Sequence, residues 1–272
     1  MVRDKLVQHH IAKPHEFRWR SREISRIEGL SDAVFGFAVT LLIVALEVPK
    51  TSGELLETMR GFISFALTFA ILYVLWYRQF VFFRRYALDD AATVALNGAL
   101  LFVVLFFVFP LKFILGWFVD RLLGGPKTIR LPNGVVERIV RPEHLGPMMS
   151  IYGLGTAAVF GIFALLYAHA YRKRKELGLN ELEIFDTRLS VEAPTYAAVI
   201  GLLTVGQANA VSLAEGKPYE DQVAFATTAV VFAFLAVMLY VTRKRRRQRR
   251  EMVERIKALG GEEADTETGF QS

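Results

Sequence analysis

The chain has 272 residues, 53% of them hydrophobic and 22% charged, with a formal net charge of +6 and no cysteine. A soluble domain of this size rarely runs so apolar, and the charges gather at the ends and between long apolar runs, where hydrocarbon does not penalise them. The missing cysteine excludes disulfides, thiol catalysis and cysteine-ligated zinc or iron–sulfur centres. The basic runs Arg172–Lys175 and Arg243–Arg250 abut apolar segments, which marks them as topology signals and contacts for anionic lipid headgroups, not as a nucleic-acid surface.

In chain order, residues 1–25 read as a basic cytoplasmic N-terminal arm; the first 28 residues are polar and no cleavable signal peptide is expected. A span needs about 20 apolar residues, and six candidates follow: Leu30–Val48, Gly61–Phe83, Thr93–Phe118 (interrupted by Pro110 and Lys112), Met149–Tyr171, Ala193–Leu213 and Gln222–Thr242. These make residues 26–243 a six-helix transmembrane domain, followed by a basic and then polar tail over 244–272. Arg18, Arg20, Arg22 and Arg26, then Arg78, Arg84 and Arg85, then the Arg172–Lys175 run with Arg188, and finally the tail fall on one side of a six-span chain. Both termini are therefore expected to be cytoplasmic. The loop after the third span is the exception, carrying Arg121, Lys127, Arg130, Arg138 and Arg141; within it, Pro132–Asn133–Gly134 between two β-rich runs predicts a small hairpin.

The first helix carries the informative residues. At about 100° per residue, Leu30, Val34, Phe37, Leu41, Val44 and Val48 form a large apolar stripe, and Gly29, Ala33, Gly36 and Thr40 form a small-residue stripe beside it. Small residues let membrane helices approach closely. Asp32 lies opposite the large stripe, near Glu28. A carboxylate there needs partners, so it is expected to point into the bundle with Ser31 in the same network, either as a latch between helices or as a titrating or ion-binding group. Arg26 reads as an interface anchor or as the partner of a carboxylate on another helix. By periodicity alone, Phe37, Leu41 and Val44 are lipid-facing or core residues.

The run Arg26-x-x-x-Leu30-Ser31-Asp32, leading straight into an apolar helix, resembles the Arg-x-x-x-Phe-Ser-Asp signature of the transmembrane-protein-175 potassium channels. Trp76, Phe82–Phe83–Arg84, Asp89 or Asp90, Asn97 and Pro110 are similar to that family's pattern through its second and third helices, and Leu30 replaces the usual Phe. The resemblance implies an all-α integral membrane protein with six transmembrane helices per subunit. It implies a homotetramer whose first helices line a central pore for K+, with no cofactor. It places apolar constriction rings at the positions five, nine and twelve after the signature Asp, here Phe37, Leu41 and Val44, with Thr40 offering a hydroxyl nearby. The family usually has Ile or Leu where Phe37 stands. Four Phe rings could close a narrow axis more fully, rotate aside, or turn their faces to a cation. Arg26, Ser31, Asp32 and Asn97 would form the supporting network.

Other chemistry is thin. His9, His10, His15, His144 and His169 show no metal-ligand spacing, and there is no nucleophile elbow, Walker loop or dinucleotide fingerprint. No enzyme activity is expected. Asn97 could bond across helices, into the Asp32 network, and Lys112 could extend toward the outer border. His169 reads as an interfacial residue. The leading function is a potassium-permeable channel, also passing protons, in a prokaryotic plasma membrane. The alternative is a secondary or proton-coupled transporter, a class that usually carries mid-depth charges and inverted repeats not evident here.

Overall fold

The computed structural model describes residues 17–21, 23–44, 49–124, 128–130, 134–214, 229, 232, 234, 236 and 238–255. Its helices are α1 (Arg26–Val44), α2 (Ser52–Tyr86), α3 (Ala91–Leu122), α4 (Pro142–Arg172) and α5 (Glu181–Ala214), with a further helix over 238–255, here α6. Among the described residues, five helices are long and apolar enough to cross a membrane. The sixth expected span, 222–242, falls largely outside the described residues, as do 45–48 at the end of the first, most of the 1–25 arm, and the tail from 256.

Local chemistry explains where the helices start and stop. Ser25 caps α1, its Oγ accepting from the Glu28 N–H at 3.2 Å. Asp90 caps α3 by accepting from the Thr93 N–H at 2.9 Å. Only four residues separate α2 from α3. Ala87, in the left-handed region with φ +49°, closes α2 by donating its N–H to Phe83 O at 2.8 Å. Asn180 and Glu183 form a reciprocal capping box on α5, with bonds of 2.8 and 3.1 Å. The expected hairpin forms between α3 and α4 as β1 (Thr128–Arg130) and β2 (Val136–Arg138), with Ile129 opposite Glu137 and Gly134 at φ +82° in the turn.

The long helices outrun the apolar segments that announce them. α2 has 35 residues and α5 has 34, roughly 50 Å each at 1.5 Å per residue, against about 30 Å of hydrocarbon. Helix hydrogen bonding continues past the membrane border, whereas hydropathy records only the part within it.

α1 packs against α2 and α3, α3 also against α4, and α4 most extensively against α5. The α4–α5 crossing depends on small residues: a Cβ on Gly201 would stand 2.5 Å from Gly153 O, and one on Gly153 would stand 2.6 Å from Gly201 O. Phe82, Phe83, Tyr86, Phe163, Leu166 and Tyr167 form a buried, largely aromatic part of the core, near the end of the molecule where the basic residues collect.

At that end the segment before α1 is strapped to the helix termini. The Arg20 N–H donates to Arg84 O at 2.9 Å. Arg18 and Arg20 both reach the wholly buried Glu183, at 3.1 and 2.7 Å. α6 joins the same end through Arg249, which grips Asp186 with two bonds of 2.6 and 2.8 Å.

Candidate functional site: the first helix and its polar clamp

α1 buries one stripe only. Glu28, Ser31, Phe35, Ala38 and Leu42 are sealed against α2 and α3. These positions advance by three or four residues and so lie on a single face. The opposite face, centred on Ala33, Phe37, Thr40 and Val44, is uncovered: Phe37 is 57% exposed and Val44 73%. Leu41 sits at its margin, half-buried, as does Val34, while Leu30 is exposed. The large apolar stripe and the small-residue stripe thus share one free surface, divided between bulky and small side chains.

Ser31 and Asn97 meet on the sealed face, joined by Gln79. All three are buried. Gln79 Nε2 donates to Ser31 Oγ at 2.9 Å and also to Asn97 Oδ1. Asn97 Nδ2 donates to Ser31 Oγ at 3.0 Å, and Ser31 Oγ donates to Ile27 O at 2.8 Å. One hydroxyl therefore uses its donor and both acceptor positions, and ties α1, α2 and α3 at a single point.

Asp32 departs from expectation. Its carboxylate accepts from the indole N–H of Trp76 at 2.7 Å, so it is partnered, but it stays exposed at the α1–α2 edge. One helical step of about 100° separates it from Ser31, which carries it out of the buried arc. Asn97 bonds to Ser31 and Gln79, not to Asp32. Arg26 is exposed and, among the described residues, has no ion-pair partner; the carboxylate two residues on, Glu28, instead faces Arg84 of α2 at 3.9 Å. Lys112 donates to Leu42 O at 3.4 Å, so it bonds to the last turn of α1. There a cation offsets the negative end of the helix dipole.

His169 is also more than an interfacial residue. Its Nε2 lies 2.8 Å from Asp90 Oδ2, which Lys173 Nζ contacts at 2.9 Å. Burial opposes ionisation of Asp90, but hydrogen bonds from His169, Lys173 and the Thr93 N–H outweigh it and hold the carboxyl well below the usual range. The bond to Asp90 in turn raises the Lys173 ammonium.

Several of these contacts had sequence signals. Ser25-x-x-Glu28 is a capping-box spacing, and Gln79 is a lone amide in an aromatic-rich apolar run. The Arg18–Glu183 pair had none, because 165 residues separate its members.

The sequence model of the family described as endosomal/lysosomal potassium channel TMEM175 matches residues 26–107, which covers α1, α2 and the clamp. A potassium channel of Marivirga tractuosa is 39% identical over 191 residues, covering 70% of this chain and 76% of that protein. A potassium channel of Chamaesiphon minutus is 36% identical over 96 residues, 32% of this chain and 47% of that protein. Among solved structures, a variant of the potassium channel MtTMEM175, crystallised with a nanobody fusion protein, superposes with a TM-score of 0.70 at 32% identity. It covers 85% of this chain and 97% of that one. With the signature on α1, the mostly helical membrane architecture and these likenesses together, the chain belongs to the TMEM175 family.

Proposed function

We propose that this chain forms a potassium-permeable channel as a homotetramer of six-span subunits, with α1 lining a central pathway and both termini in the cytoplasm of a prokaryotic cell. The reading carries with it the division into a basic arm (1–25), a channel domain (26–243) and a tail (244–272), and it includes permeation by protons. The observation that supports it is the uncovered face of α1. A helix held rigidly on one side, and free along Ala33, Phe37, Thr40 and Val44 on the other, has the form of a wall awaiting copies of itself. Relatives of this chain are named potassium channels.

Around a fourfold axis, Phe37 and Val44 form apolar rings, with Leu41 at their flank. Such rings gate by dewetting and set a cost for stripping water from the ion. Thr40 donates its hydroxyl hydrogen to Gly36 O at 2.9 Å, which leaves oxygen lone pairs for a passing cation. The Ser31–Gln79–Asn97 clamp fixes the rotation of α1 about its own axis, and so decides which residues face the pathway. Arg26 and Asp32, both exposed on a single chain, are available to neighbouring subunits.

The test is K+ flux into liposomes holding the purified protein, with wild type compared against Phe37→Ala. Flux should rise in the variant as the narrowest ring widens. No flux from either protein, with the oligomer intact, would overturn the reading.

A further inference from the structure

A cleft opens between α2, α5 and α6, and no residue of α1 lines it. Its walls include Tyr77 and Arg78 of α2, Glu192 and Tyr196 of α5, and Arg245 and Arg246 of α6. The volume, about 270 Å³, is several times the ~30 Å³ share of a single water. It has room for a polar group of several heavy atoms.

The charges in the cleft do not cancel. Glu192 is matched by Arg245 at 3.2 Å and by Arg188, one turn before it, at 3.4 Å. Arg78 and Arg246 have no carboxylate within ion-pair distance among the described residues; the Arg78 guanidinium lies over the Phe160 ring, 5.8 Å from its centroid. Meanwhile Glu192 Oε2 is buried and, among the described residues, has no hydrogen-bond donor. A buried carboxylate oxygen without a donor is costly. The cleft therefore presents two spare guanidinium forks and one spare acceptor.

Depth limits what fits. The apolar run of α5 starts at Ala193, directly after Glu192, and the basic run of α6 starts at Arg243. The guanidinium groups thus stand at the border between hydrocarbon and water. Tyr77 and Tyr196 occupy the level where amphipathic rings settle against headgroups.

We propose that this cleft binds the headgroup of an anionic phospholipid. Arg78 and Arg246 take the phosphate oxygens in the fork geometry suited to them. Glu192 Oε2 accepts a hydroxyl of the headgroup, as phosphatidylglycerol supplies. The lipid joins α6 to α2, two elements that share the basic end of the molecule, and its acyl chains run down the apolar wall below Pro194.

The experiment uses the full-length protein in a neutral detergent. Binding of phosphatidylglycerol, phosphatidylethanolamine and inorganic phosphate is followed by thermal shift and by native mass spectrometry of retained lipid. Phosphatidylglycerol should bind and survive release from the detergent. The double variant Arg78→Gln/Arg246→Gln should bind it about thirtyfold more weakly, on the basis of two lost headgroup charges. Arg247→Gln, at an exposed residue paired with Glu251, should bind like wild type, and Arg78→Lys/Arg246→Lys should retain part of the affinity. Phosphatidylethanolamine binding as tightly as phosphatidylglycerol would overturn the assignment to an anionic lipid. Inorganic phosphate displacing the lipid at equal concentration would show a free-anion site instead. Both of those comparisons read on wild type, so they decide the matter even if the double variant does not fold.

Discussion

Trp76 donates its indole N–H to the carboxylate of Asp32 across 2.7 Å, and this bond joins the exposed edge of α1 to α2. The acceptor is needed for the bond, whereas the charge only strengthens it. Asp32→Asn should therefore keep the α1–α2 contact at a modest loss, while Asp32→Leu should cost about 2 kcal/mol, in the range for hydrogen bonds to ionised groups. Chemical denaturation of both variants in detergent checks this. Equal losses would mean that the charge, and not the bond, holds the edge.

Ser31 satisfies two buried amide donors with one oxygen. Ser31→Ala leaves those donors without that acceptor and should destabilise the fold by about 1–3 kcal/mol. That is far more than the loss of a hydroxyl from a surface helix. If the clamp sets the rotation of α1 in a K+ pathway, as proposed, K+ flux should change along with the unfolding midpoint. A thermal melt and a liposome flux assay on one preparation test both effects.

Asp90 links the cap of α3 to His169 and Lys173 on and beside α4. Its pKa is depressed in the folded protein. The stabilisation is therefore complete above the unfolded value of about 3.9, and is lost as pH falls through the folded pKa. Lys173 is raised, so its share is present below the unfolded value of about 10.4 and is lost as pH rises through the folded one. Wild type should melt higher than Asp90→Asn near neutral pH, and the margin should shrink in strong acid, as pH falls through the folded pKa of Asp90. A margin that persists undiminished in acid would exclude the ion pair as its source.

Gly201 and Gly153 face each other backbone to backbone. Gly201→Ala pushes a methyl group into a carbonyl oxygen, and neither side can rotate away. A loss of about 3 kcal/mol or more is expected, at the upper end for overpacked cores, together with poor yield of folded protein. Gly161→Ala is the control, because a Cβ there meets nothing within 4 Å.

Much of the helical scaffold was legible from apolar run length, because hydrocarbon imposes one strong rule. What that rule misses is the helix beyond the border: α5 begins at Glu181, twelve residues ahead of the expected Ala193, and only its capping box announces the start. The periodicity of α1 sorted its residues onto faces, yet it could not say which face would be sealed. That depends on Gln79 and Asn97, whose position opposite Ser31 is tertiary information. Asp32 was expected in the bundle because a membrane carboxylate needs a partner. Trp76 meets that need from the edge, with an aromatic donor that hydropathy counts as apolar.

The capping box of α5 has one further consequence. Glu183 serves that helix as a local staple and serves Arg18 and Arg20 as a mooring. Only six peptide units separate Arg20 from Arg26, where α1 begins, a tether of at most about 21 Å even when drawn taut. A shift of the first turn of α5 therefore bears on the segment that enters α1, and also on Arg84 of α2, whose carbonyl accepts from the Arg20 N–H. One carboxylate thus makes the fifth helix a lever on the first.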